Sequence, residues 1–218
     1  MRPKAPVILI VLLCGSLACN RVPAQDLRQR GVSYVSWWHD DYLSVESDSS
    51  LALLAATGAQ WVGILTTWYQ DSATATRIAP DTLKTPTDAA VAHAVARVKA
   101  LGLKVMLKPH VDCWNGDWRG DITPDSAGLW FGSYSRFICH YASLAESLHC
   151  EQFCVGTELE GTTLGHATEW RTIIDSVKTR FSGTVTYAAN WDRYRTHVQF
   201  WDALDLVGID AYFPLTNS

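Results

Sequence analysis

The stretch Trp61-Val62-Gly63-Ile64-Leu65, followed by Val91, Val95, Val98 and Leu101 at helical spacing and then by Leu103 to Leu107, decides the fold. A short apolar run bounded by turn residues reads as a buried strand, and apolar residues three and four apart mark one face of a helix. Thr87 and Asp88 can cap that helix, and Gly102 can end it. The unit is strand, helix, strand. Two strands joined by such a crossover run parallel.

The same alternation extends in both directions. Upstream, Gly31-Val32-Ser33-Tyr34-Val35-Ser36 reads as a first strand, and Ser50 to Thr57 as a short helix closed by Gly58. Downstream, Asp125 opens a longer helix with Trp130, Tyr134, Phe137, Tyr141, Leu144 and Leu148 on one face. Phe153 to Gly156 forms a fourth strand, Thr168 to Phe181 a helix, and Val185 to Ala189 a fifth strand. Val198 to Leu204 reads as a short helix and Leu206 to Ile209 as a sixth strand. Alternating β and α units with nearly continuous apolar strands predict an α/β fold, a parallel sheet covered by helices. Doubly wound and barrel folds both satisfy that pattern. The first strand lacks the glycine-rich phosphate loop of dinucleotide-binding folds, which disfavours the former. A complete (β/α)8 TIM barrel has eight strands and about 250 residues. Residues 25–218 therefore read as the N-terminal part of a barrel, with about six of eight βα units.

Composition fits one globular domain: 218 residues, 48% apolar and 18% charged. A net charge of −4 gives no reason to expect nucleic acid as a partner. Ten Trp are many for this length, either as core filling or as flat surfaces for a ligand. Residues 1–24 read as an export leader, with Arg2 and Lys4 before the apolar run Val7 to Leu13. Val22-Pro23-Ala24 offers a signal-peptidase site. Ser16-Leu17-Ala18-Cys19 offers a lipobox, which would lipidate Cys19 and attach a periplasmic or secreted protein to a bacterial membrane. The latter is favoured because Cys19 follows the apolar run directly. Cys113, Cys139, Cys150 and Cys154 read as buried thiols or one incidental bridge.

A barrel carries its active site at the C-terminal ends of its strands. Those ends hold Trp37-Trp38-His39-Asp40-Asp41, Thr66-Thr67-Trp68-Tyr69, Lys108-Pro109-His110-Val111-Asp112-Cys113-Trp114 with Trp118 and Arg119, Thr157-Glu158-Leu159-Glu160, Asn190-Trp191, and Asp210-Ala211-Tyr212. Aromatic faces that stack on sugar rings, with polar groups that bond hydroxyls, make this a carbohydrate rim. Glycosidic cleavage needs two carboxyl groups, one donating a proton and the other attacking or activating water. Glu158 is the candidate acid, following a strand that narrows through Gly156 and so leaves room for a ligand. Taken by itself, a glutamate at a strand end is more often a solvated or salt-bridged group. Glu160 reads as a loop charge or substrate contact, and Asp210 as an orienting or substrate-bonding group. Trp37, Trp68, Trp114 and Trp191 are the preferred stacking platforms. His110 and Asp112 are metal-ligand types, but no second histidine-bearing strand end completes a set. No metal or cofactor is expected, and a monomer is.

Gly31-Val32-Ser33-Tyr34 with Trp37-Trp38, the Lys108-to-Asp112 segment with Trp118-Arg119-Gly120, Gly156-Thr157-Glu158-Leu159-Glu160-Gly161, and Asp205 to Tyr212 together resemble glycoside hydrolase family 113. The resemblance runs from about Gly31 to Ser218. It implies a clan A barrel and a retaining, mainly endo-β-1,4-mannanase activity on a polysaccharide or oligosaccharide. It also implies an acid/base at the end of strand four, which is Glu158, and a nucleophile at the end of strand seven. Thr157 stands where many clan A relatives carry Asn. The strand-seven glutamate is expected beyond Ser218. A non-catalytic carbohydrate-binding barrel, or an inactive and poorly soluble product, is the alternative for the chain as it stands.

Overall fold

In the computed structural model, which describes residues 29–216, six strands form one sheet in the order β1 to β6. They are β1 (Gly31–Tyr34), β2 (Trp61–Gln70), β3 (Lys104–Cys113), β4 (Gln152–Thr157), β5 (Thr184–Asn190) and β6 (Leu206–Asp210). Each pairs in parallel with the next. The sheet curls into a partial TIM barrel with helices on its outer face. The leader, the Cys19 lipobox and its alternative cleavage site lie outside the described residues.

Helix α1 (Val45–Ala56) begins earlier than its apolar pattern suggests, because the Ser44 side chain accepts the Ser47 backbone N–H. Helix α2 (Asp88–Ala100) is capped in the same way by Thr87, which accepts from Ala90. Helix α3 (Ala127–Ser147) buries Trp130, Tyr134, Phe137 and Tyr141. A single turn, α4 (Glu160–Thr163), precedes α5 (Ala167–Lys178), whose Trp170, Ile173, Ile174 and Val177 face the sheet. The expected helix at 198–204 is only a 3-10 turn, Trp201–Ala203.

The core lies between the helices and the convex face of the sheet. Trp170 stacks on Phe200 and meets Tyr187 edge-on, while Trp130 stacks on Tyr134. Each fully buried aromatic contributes on the order of 2–3 kcal/mol. Part of the tryptophan excess is therefore structural. Cys113, Cys139, Cys150 and Cys154 are all unbridged thiols.

Strands β2 and β3 run ten residues each, well past Leu65 and Leu107, and stay paired as far as Gln70 and Cys113. Their polar tails are strand rather than loop. Side chains alternate along a strand, so Met106, Lys108, His110 and Asp112 all face the barrel interior. On β2 the same rule turns Thr66 and Trp68 outward, where both donate hydrogen bonds to Tyr141 Oη on α3, at 2.8 and 2.9 Å.

Strand β4 breaks the alternation once. Cys154 pairs with Thr186 and Thr157 with Ala188, so β4 advances three residues while β5 advances two. This is a bulge, which re-aims the side chains beyond it. The freed Val155 carbonyl accepts from Tyr134 Oη at 2.7 Å, and the Gly156 carbonyl accepts from Cys154 Sγ at 3.1 Å. Gly156 is turned into the core: a Cβ there would lie 2.6 Å from the Tyr187 ring and 3.0 Å from Trp170. The space expected for a ligand beside Gly156 is thus filled by Tyr187. Thr157, by contrast, is turned into the barrel mouth.

Candidate active site

A cleft of about 830 Å³ opens at the C-terminal ends of the strands, within the usual range for ligand sites. Nine of the sequence-selected residues line it: Trp37, Trp38, His110, Asp112, Trp118, Arg119, Glu158, Asp210 and Tyr212. Trp37 and Trp38 expose more than half their surface. The Trp118 ring lies against Gly120, where an added Cβ would come within 2.3 Å of it unless the ring moved.

Glu158 sits directly after β4 with a φ of 54°, one of two non-glycine residues in the left-handed region among the described residues. That backbone costs on the order of 1 kcal/mol and persists only where neighbours enforce it. They do so here on three sides. The Glu158 N–H donates to Ala188 O at 2.8 Å, and the Glu160 N–H to Glu158 O at 3.0 Å. The Leu159 N–H donates to Tyr187 Oη at 2.9 Å. A bulge followed by a left-handed residue lets Thr157 and Glu158, adjacent in sequence, both line the cleft. Burial raises the Glu158 pKa first, and the Asp210 charge raises it further; Arg119 and Lys108 oppose both.

Arg119 organises the β3 wall. Its Nη2 lies 2.7 Å from Asp112 Oδ1, and its Nη1 lies 2.6 Å from His110 Nδ1. Burial, then Arg119, then Lys108 push the His110 pKa well below its ordinary value. His110 Nε2 is buried and has no hydrogen-bond partner among the described residues.

The other selected residues do not line the cleft themselves. Trp68 is held against α3. The Trp114 ring stacks on Tyr69 at 4.6 Å, with Lys84 Nζ 4.5 Å from its centroid. Asn190 Oδ1 accepts the Trp191 N–H, and Trp191 meets Phe213 edge-on. Glu160 opens α4, since the strand ends at Thr157, and its nearest cation is Arg193 Nε at 3.8 Å. Among the further cleft residues, Lys108 and Tyr69 fall in strand-end segments without having been given a role of their own, and Lys84 and Asp117 were not singled out from sequence. Lys108 Nζ reaches across the barrel to Asp210, 3.1 and 3.3 Å from its two oxygens. Alternation along an extended β3 would have found Lys108. Among the described residues, no group of three or more His, Cys, Asp or Glu could hold a metal ion.

Comparison with known proteins agrees with this geometry. A family model described as Glycoside Hydrolase Family 113 matches residues 34–218. A solved GH113 β-1,4-mannanase is 31% identical, with a TM-score of 0.79, over 85% of this chain and 62% of that one. The GH113 β-mannanase AaManA from Alicyclobacillus acidocaldarius, in complex with ManMIm, is 36% identical with a TM-score of 0.80, over 85% and 61%. A GH5_18 protein from Streptomyces cattleya shares the fold alone, at 14% identity and a TM-score of 0.54, over 77% of this chain and 46% of that one. The chain spans about six-tenths of the length of the GH113 structures it matches. No curated protein matches it. With most of its length matched by the family model and its strands superposing on those of solved members, the chain belongs to glycoside hydrolase family 113.

Proposed function

We propose that the protein is a retaining glycoside hydrolase acting on a β-linked polysaccharide of the β-1,4-mannan type, with Glu158 as general acid/base. The observation that carries this reading is Glu158 itself: a carboxyl group in an aromatic cleft, on a strained backbone, with its pKa raised by burial. Such a group stays protonated to higher pH than a free glutamate and can donate to a leaving oxygen. Trp37, Trp38 and Trp118 supply stacking faces. Asp112, Arg119, Asp210 and Tyr212 supply hydroxyl contacts. The three other carboxylates on the cleft are already engaged: Asp112 by Arg119, Asp210 by Lys108, and Asp117 by the Ala73 N–H and Asn115. The nucleophile is assigned to a seventh strand, as the family resemblance implies.

The test is Glu158→Gln in protein expressed from the intact gene, assayed on β-mannan and mannooligosaccharides. Turnover is expected to fall by about 10²–10⁴-fold, with oligosaccharide binding retained. Unchanged hydrolysis would remove Glu158 from the mechanism. Binding without turnover in the unmodified protein would favour a carbohydrate-binding barrel. Export through residues 1–24 with a lipid on Cys19 belongs to the same proposal, and metabolic palmitate labelling lost in Cys19→Ala checks it.

A further inference from the structure

Strand β2 carries two aromatic residues in succession, and alternation sends them to opposite faces. Tyr69 lines the cleft, while Trp68 is directed outward toward α3. Trp68 is only partly buried. Its open part lines a second hollow, of about 330 Å³, between α3 and the segment that leads from β2 to α2. That volume is at the small end of the range for ligand sites, and no residue of the hollow belongs to the cleft. The Trp68 indole N–H is already given to Tyr141 Oη, so the ring is fixed in place and what it offers is its apolar surface. The rim is polar. His140 Nε2 and Asp88 Oδ1 meet there at 2.9 Å, both residues exposed, and Thr82 and Thr87 add hydroxyl groups. Asp81 Oδ1 accepts the Leu83 and Lys84 N–H groups, at 2.9 and 2.8 Å. The second oxygen of each of these two carboxylates has no partner among the described residues.

We propose that this hollow is a second sugar-binding site, which takes a pyranose unit of the β-linked polysaccharide outside the cleft. The chemistry is that of sugar recognition. A fixed aromatic surface receives the C–H face of the ring, and carboxylate oxygens, hydroxyls and an imidazole at the edge bond its hydroxyl groups. The wall is preformed, which lowers the cost of binding. Thr85, itself buried, donates its hydroxyl to Thr67 O on β2 at 2.7 Å and accepts the Asp81 N–H at 2.8 Å. The segment bearing Asp81 and Thr82 is thereby tied to the strand. Its other side belongs to the cleft, because Lys84, on the same turn as Asp81, lines that site. One segment thus separates the two sites, and neighbouring chains of one insoluble particle can engage both. Polymer held at the hollow has a raised effective concentration at the cleft. The inference rests on the substrate class proposed for the cleft.

The test uses protein expressed from the intact gene and the double variant Asp88→Ala/His140→Ala. That change removes an exposed pair of little weight in stability and leaves the Thr87 cap and the cleft residues in place. In a Glu158→Gln background, which stops turnover, mannohexaose should shift the indole N–H signal of Trp68 in nitrogen-15 spectra. The double variant should abolish that shift while the Trp37 signal still responds. Retention on insoluble β-mannan should fall by about tenfold or more. With Glu158 intact, the double variant should raise KM on insoluble mannan and leave kcat/KM on mannotetraose unchanged. A Trp68 signal indifferent to mannohexaose would overturn the proposal, and so would unchanged retention in the double variant. An equal loss on mannotetraose and polymer would also overturn it, since the pair would then be supporting the cleft. If the parent protein hydrolyses mannan and Trp68 does not respond, this inference alone fails. If the parent hydrolyses none, the function proposal fails, while the Trp68 titration still decides this one.

Discussion

Arg119 donates a hydrogen bond to His110: its Nη1 lies 2.6 Å from the imidazole Nδ1. A guanidinium has no acceptor, so His110 must be the acceptor at Nδ1 and carry its proton on Nε2. The contact therefore selects both a tautomer and a charge state.

From burial and this contact together we expect His110 to stay neutral at pH values where a free histidine would already take up a proton. Nitrogen-15 spectra of histidine-labelled protein should show one fixed Nε2–H tautomer. Arg119→Met should raise the His110 pKa only part of the way toward the ordinary histidine value, because burial, the larger cause, and Lys108 remain. The sign for stability follows, because a depressed folded-state pKa gives stability that is present above the unfolded value. That stability is lost as the pH falls toward the folded value, so the melting temperature should decline below about pH 6.5. A histidine titrating normally at this position in the unmodified protein would contradict the assignment.

Glu158 has the opposite sign. Its folded-state pKa is raised above 4.5 by burial and Asp210, so its contribution to stability is present below that value and lost as the pH rises through the folded one. Glu158→Gln should accordingly melt higher than the parent at pH 7, and the gap should close at pH 4. Calorimetry at the two pH values measures this without any substrate.

The left-handed backbone at Glu158 gives a second expectation. Alanine is ordinarily preferred to glycine, but at a φ of 54° the order should reverse. Denaturant unfolding should find Glu158→Gly more stable than Glu158→Ala by about 1 kcal/mol. Equal midpoints would mean that the backbone relaxes once the side chain is gone.

Gly156→Ala tests the link from core to cleft. The added methyl would strike Tyr187, whose Oη holds the Leu159 N–H just beyond Glu158. A loss of about 1–3 kcal/mol is expected, together with a fall in kcat larger than in Gly128→Ala, where a Cβ meets open space.

Much of this was legible in the sequence, and the failures on β2 and β3 share one cause. Apolar runs such as Trp61 to Leu65 and Phe153 to Gly156 identified the strands, and parallel pairing followed from the helices between them. The polar tails Thr66 to Gln70 and Lys108 to Cys113 read as loops because hydropathy drops where a barrel interior meets its active site. Ending β2 early then misplaced Trp68. Carried on by alternation from Ile64, it shares a face with Thr66 and belongs to the core. Lys108 was missed for the same reason. The bulge in β4 has no compositional signature, and only the register against β5 reveals it.

Thr157 and Glu158 are consecutive residues that face the same way, which a regular pleat forbids. The chain achieves this by two irregularities in succession, an added residue and then a left-handed one. Engineering that idealised the segment would lengthen the ladder between β4 and β5 and relieve the strain, and would gain stability by doing so. It would also send one of the two side chains to the wrong side of the sheet. A thermostabilised variant obtained in that way would be a better-folded protein with its carboxyl group out of reach of the substrate, an instance of stability gained against activity.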